Sequence, residues 1–183
     1  MSTSVRDGIQ RVAVLEALTT SRAPAERERE TVISKGRRVI FATFVATIAA
    51  GLFAGASAYV TVVQHPAWRE CGPIFAVKEF GPSYRRAGIM QGGLAVVGLL
   101  SGTVAWFQGS GVGWLVGGLL LGSLAPFTLI VMMPTNRRLL DPQLDPSSPE
   151  AAELLSRWGR LHAVRTVVGV AVFVSFACMG LWS

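Results

Sequence analysis

The chain alternates between long stretches without a single charged side chain and short stretches in which charge is concentrated. Val39 to Trp68, Ala87 to Asn136 and Thr166 to Ser183 contain no Asp, Glu, Lys or Arg. A bilayer core of about 30 Å needs about 20 helical residues to cross it at 1.5 Å per residue. The pattern therefore predicts spans over about 39–63, 86–107, 112–133 and 163–182, the 50-residue run from Ala87 to Asn136 being divided at the polar, glycine-rich Gln108-Gly109-Ser110-Gly111. The expected fold class is all-α: an integral membrane four-helix bundle over 39–183, preceded by a partly disordered N-terminal tail over 1–38. Four spans put both termini on one side, side A, and the connections 64–85 and 134–162 on side B. The first span starts too far into the chain to be a cleavable signal peptide. Within the tail, Ile9, Val12, Leu15 and Leu18 show a weak helical period, which predicts one short helix.

Composition narrows the class. Hydrophobic residues make up 51% of the 183 positions and charged residues 15%, well below the roughly 25% charged of an ordinary soluble domain. A soluble domain, a disordered chain and a disulfide scaffold are excluded as first readings. The net charge of +6 is spread along the predicted membrane edges without a nucleic-acid motif, which implies membrane lipid rather than nucleic acid as a partner. Eight Lys/Arg on side A against nine on side B leave the orientation undecided. The membrane in which the chain resides and its homo-oligomerisation are equally open. Cys71 and Cys178 fall at different depths, so no intrachain disulfide is expected, and a CxxC or zinc spacing is absent.

Small residues recur at spacing four within the spans: Gly51 and Gly55, Gly88 and Gly92, Gly98 and Gly102, Gly113 and Gly117, Gly118 and Gly122. This spacing lets helix backbones approach closely in lipid and predicts a compact bundle. Pro126 is expected to free the Gly122 carbonyl and kink the third span, with Thr128 or a neighbouring helix satisfying the gap.

The chemistry gathers at the side-B edge. His65 closes the first span and precedes Pro66, where the helix is expected to end. His162 opens the fourth span, with Trp158 and Arg165 on its helical face at i−4 and i+3. The other two spans reach the same edge through Pro82-Ser83-Tyr84-Arg85-Arg86 and Pro134-Thr135-Asn136-Arg137-Arg138. Interfacial anchoring accounts for Arg69, Arg137, Arg138, Arg157 and Arg160. It accounts poorly for two histidines, an asparagine and an arginine inside a span, since an intramembrane ionisable group is costly and generally faces a cavity with a task.

The segments His65-Pro66-Ala67-Trp68, Pro82-Ser83-Tyr84-Arg85-Arg86, Pro134-Thr135-Asn136-Arg137-Arg138-Leu139 and Trp158-Gly159-Arg160-Leu161-His162-Ala163-Val164-Arg165-Thr166 resemble the pattern of the small four-span membrane proteins that include the anthrone oxygenases of polyketide pathways. The resemblance covers roughly residues 40–182. It implies oxidation of an anthrone, a small aromatic polyketide, to an anthraquinone by O2 with no cofactor and no metal. Against that reaction the catalytic candidates are His65 or His162 as base, with Arg165, Asn136 and Tyr84 as donors to a developing oxyanion. Trp68, Tyr84, Arg85 and Trp158 are the substrate-binding candidates.

Two other classes stay open at this point. The two histidines are the ligand set of a bis-histidine haem or metal redox protein, although a typical mononuclear site takes three or four protein ligands. A non-enzymatic bundle that binds lipid or serves as an assembly subunit would need only the small-residue ladders and the arginines.

Overall fold

The computed structural model describes the backbone over residues 3–181 and side chains over residues 27–181. All of its regular structure is helical. Helix α1 runs from Thr3 to Tyr59 and passes into a π-helical segment, Val60–Gln64, which leads directly into α2, His65–Cys71. Helix α3 spans Pro73–Phe107 and α4 spans Val112–Phe127. A second π-helical segment, Thr128–Met132, joins α4 to α5, Met133–Leu139, and α6 occupies Pro149–Leu181. Among the described residues four helical rods are long and apolar enough to cross a membrane: Arg27–Cys71, Pro73–Phe107, Val112–Leu139 and Pro149–Leu181.

The chain divides into two units, residues 1–40 and residues 41–183. The first is the N-terminal part of α1, and the period read at Ile9, Val12, Leu15 and Leu18 lies outside the residues with described side chains. Everything that follows concerns the second unit.

The rods are longer than the charge-free runs because charged residues continue the helices at the side-B end. The expected connection 64–85 is helical apart from Gly72, whose φ of 89° breaks α2 from α3. Only a residue without Cβ takes that conformation at little cost. Likewise the connection 134–162 contracts to residues 140–148, and α6 starts 13 residues before His162, at Pro149. Pro66 does not end the first helix. It sits in the first turn of α2, directly after the wider π turn, which accommodates a residue lacking its N–H. The same sequence of events recurs at Thr128–Met132 followed by Pro134. Pro126 lies within α4 as expected, but the Thr128 hydroxyl donates to the Leu124 carbonyl at 2.7 Å rather than to that of Gly122.

Two packed clusters hold the unit together. Towards the Gln108–Gly111 turn, Phe53, Ala95, Trp114, Leu121, Val172 and Phe176 form a dry core. A Cβ on Gly102 would stand 2.6 Å from the Trp114 carbonyl, and one on Gly117 would stand 2.3 Å from the Phe176 ring, so these contacts exist only for glycine. Towards residues 140–148, Trp68, Phe80, Met132, Leu155 and Trp158 form the second cluster. Its aromatic rings interlock, with centroids 5.6 Å apart for Trp68 and Trp158 and 5.5 Å for Phe80 and Trp158 in a T-shaped pair. The outward faces carry Phe44, Leu52, Val62, Leu100, Leu119 and Val167, all exposed.

Loop 140–148 is held by charge. Arg138 was expected to reach for lipid phosphate, but its guanidinium forks onto both carboxylate oxygens of Glu150, at 2.6 and 2.9 Å, and onto Asp141 at 2.6 Å. The Gln143 backbone N–H and Arg138 hold the Asp141 carboxyl below its ordinary range, and the Ser147 hydroxyl and N–H do the same for Asp145.

Candidate active site

Between the two clusters lies a cavity of about 360 Å³. Its walls come from every rod: Gln64 and Trp68 from the first, Tyr84, Arg85 and Gln91 from α3, Thr128 and Asn136 from the second π segment and α5, and Trp158, His162 and Arg165 from α6. Seven of the eight site residues expected from sequence thus line one space. The lining also includes the exposed residues Gly88, Ile89 and Leu129, so the cavity opens at the outer surface between α3 and the second π segment.

His162 is 3% exposed and stacks on Trp158, with centroids 4.8 Å apart and an interplanar angle of 27°. One turn further, the Arg165 Nη2 donates to the Gln91 carboxamide oxygen at 2.8 Å, and its guanidinium carbon lies 5.6 Å from the Phe53 ring centroid. The Arg165 Nε has no hydrogen-bond partner, and no salt bridge to Arg165 is found among the described residues. Asn136 is completely buried with both amide atoms unpartnered, and the Trp158 indole N–H is also unpartnered. Leaving such groups unpaired costs about 1–3 kcal/mol each.

His65 is placed differently. It does not line the cavity; its Nε2 lies 3.1 Å from the Leu155 carbonyl, and its ring occupies the space beside Gly159, where a Cβ would approach to 2.4 Å. A carbonyl only accepts, so the neutral His65 carries its proton on Nε2. It fastens α2 to α6 and supports Trp68 and Trp158, whose rings it meets at 6.4 and 6.2 Å. The loop carboxylate Glu79 stands in a helix, accepting from the Gln64 amide at 3.1 Å and from the Ser83 hydroxyl. No group of three or more His, Cys, Asp or Glu gathers into a metal-ligand set among the described residues.

Several participants are absent from the sequence reading. Gln91, buried in the structure, fixes Arg165, and its only signal in the sequence is a carboxamide within a charge-free run. Thr61 bonds His162 Nδ1 at 3.1 Å, and Thr166 bonds Thr61 at 2.7 Å. Thr166 closes the segment that carries the family resemblance and shares the helical face of His162 at i+4, but no role was read for it.

Comparison with known proteins gives this constellation a context. A 62-residue stretch, 32% of this chain, is 39% identical to anthrone oxygenase tpcL of Aspergillus fumigatus and covers 38% of that relative's length. No solved structure matches the chain. Residues 80–175, more than half of the sequence and including Tyr84, Gln91, Asn136, Trp158, His162 and Arg165, match the family described as Anthrone oxygenase, and the chain belongs to that family.

Proposed function

We propose that the protein is a multi-pass integral membrane oxygenase that converts an anthrone-type polyketide to an anthraquinone with O2 and without a cofactor. Family membership supports an anthrone as the substrate. The observation that carries the chemistry is the convergence, in one largely apolar cavity, of an imidazole, an uncompensated guanidinium and a buried unpartnered carboxamide. The volume of about 360 Å³ falls in the range of about 300–1,000 Å³ typical of small-molecule sites.

The reaction asks little of a protein beyond acid–base and electrostatic help. His162 removes a proton from the C10 methylene, leaving a delocalised anion whose negative charge resides largely on the C9 oxygen. Arg165 and Asn136 donate to that oxygen, and Tyr84 and Trp158 bound the flat ring system. The electron-rich anion reduces O2 and combines with it at C10 as a peroxide anion, which takes the proton back from His162 to give a hydroperoxide and restore the neutral base. Loss of water, taking the second C10 hydrogen and one oxygen atom, leaves the quinone carbonyl. One atom of O2 is retained, the other leaves as water, and no external reductant is consumed. His65 is a positioning residue in this scheme. Bis-histidine ligation would require it to leave the Leu155 carbonyl and enter a cavity that it does not line.

The test is oxygen uptake by purified protein with a panel of anthrones, alongside its optical spectrum and metal content. Acceleration over buffer, with one anthraquinone formed per O2 consumed, is the expected result. A Soret band tracking activity would replace the scheme with a haem protein, and no acceleration with any anthrone would leave a lipid-binding or assembly bundle.

A further inference from the structure

Only one arrangement of protons makes every contact behind His162 a hydrogen bond. Thr166 Oγ1 lies 3.1 Å from the Ser57 carbonyl and 3.3 Å from the His162 carbonyl, and 2.7 Å from Thr61 Oγ1. A hydroxyl has one hydrogen, and carbonyl oxygens have none. Thr166 must therefore spend its hydrogen on the carbonyls and accept from Thr61. Thr61 has then spent its own hydrogen and can only accept at its remaining contact, His162 Nδ1, 3.1 Å away. Reversing the chain would set the Thr166 oxygen against the Ser57 carbonyl with no hydrogen between them.

We infer that Thr61 and Thr166 form a polarised hydroxyl relay that locks neutral His162 as its Nδ1–H tautomer and leaves the Nε2 lone pair as the base of the cavity. Nε2 has no hydrogen-bond partner among the described residues, on a side chain that lines the cavity. On accepting a substrate proton there, His162 keeps Nδ1–H donating to Thr61, so protonation requires no rearrangement behind the ring. The relay joins α6 to the first π segment, in which Thr61 stands. His65, protonated on Nε2 against the Leu155 carbonyl, holds the opposite tautomer. Thr61 and Thr166 are positioning residues, and the inference rests on the proposed role of His162 only for its effect on turnover.

The protein contains two histidines, which makes the tautomers directly readable. Nitrogen-15 NMR of the full chain in bicelles near pH 8, above the ordinary imidazole pKa of about 6.5, is expected to show one Nδ1–H and one Nε2–H imidazole, assigned by loss of a signal in His65→Gln. In Thr166→Val, which touches no atom of the ring, the Thr61 hydrogen is free to turn towards Nδ1, and His162 is expected to shift towards the Nε2–H form. Thr61→Val removes the acceptor altogether, and Thr61→Ser restores it. Anthrone turnover should fall by about 10-fold or more in both valine variants at little-changed KM and recover in Thr61→Ser. An Nδ1 lone pair on wild-type His162, or a His162 tautomer unmoved in Thr166→Val, overturns the lock. Wild-type protein without anthrone turnover but with Nδ1–H on His162 would remove the substrate reading and uphold the lock.

Discussion

The dry core and the cavity use the same small residues to opposite effect. Near the Gln108–Gly111 turn, Gly102 and Gly117 exist to be filled, by the Trp114 carbonyl and the Phe176 ring. At the level of the cavity, between the two clusters, Gly88 and Gly92 face nothing within 4 Å of where a Cβ would stand, and both line it. The core is closed by removing Cβ atoms until backbones touch. The cavity is kept open by removing them where a ligand would sit. A glycine spacing of four therefore reports proximity between helices at Gly113 and Gly117 and free volume at Gly88 and Gly92, and only the partner across the gap distinguishes them.

The largest effect that tests this division belongs to the cavity. His162→Ala and Arg165→Ala are each expected to lower anthrone turnover by about 10²-fold or more in folded protein, as loss of a general base or an oxyanion donor does. Oxygen uptake on samples of matched helicity measures it. Arg165→Lys should recover only part, because a point charge cannot both hold Gln91 and present a second planar donor. Near-normal uptake in His162→Ala would transfer the role of base away from the cavity, towards His65.

Next in size is the dry core. Gly102→Ala drives a Cβ to 2.6 Å from a backbone oxygen, and a destabilisation of about 1–3 kcal/mol is expected, read as a lowered unfolding midpoint. Gly92→Ala, by contrast, meets nothing and is expected to raise stability by about 0.4–1 kcal/mol while raising KM. Equal destabilisation by both would erase the distinction between core and cavity.

His65→Ala should cost about 0.5–1.5 kcal/mol through the lost bond to the Leu155 carbonyl, with a smaller fall in turnover than His162→Ala. The smallest effect concerns loop 140–148. Because Asp141 is held below its ordinary pKa by Gln143 and Arg138, its contribution is complete above about pH 4 and is lost as pH falls through the depressed value. Proteolysis of the loop is expected to quicken only in that acid range, and to become less dependent on pH in Arg138→Ala.

The sequence made the four rods legible because lipid-compatible helices must exclude charge over a fixed length, a constraint that no single residue can hide. It was less informative about where they end. Arg69, Lys78 and Arg157 read as loop residues, yet they continue helices at the side-B end, where charge is no obstacle to helix formation. Pro66 read as a stop because the π turn that absorbs it has no sequence signature. Within the site, His162, Arg165 and Asn136 stood out as polar groups out of place. Their supports did not, since Thr61 and Thr166 look like ordinary β-branched span residues until a carbonyl and an imidazole are found on either side. The sequence set the two histidines apart by their neighbours, Pro66 after one and Trp158 and Arg165 on the face of the other, but it did not show what lies behind each ring.

The paired π segments set the angular phase of everything beyond them. A π turn is in effect an α-helix with one residue inserted, and one residue amounts to about 100° of rotation around the axis. Val60–Gln64 thereby offsets the face that α1 presents to the dry core from the face that α2 presents to the cavity, and Thr128–Met132 does the same between α4 and α5. Deleting one residue from Val60–Gln64 would leave Phe53 in register and swing Trp68 away from Trp158. The two ends of the first and third rods are thus uncoupled in azimuth, and a change that retunes the cavity wall there need not disturb the helix–helix seams upstream.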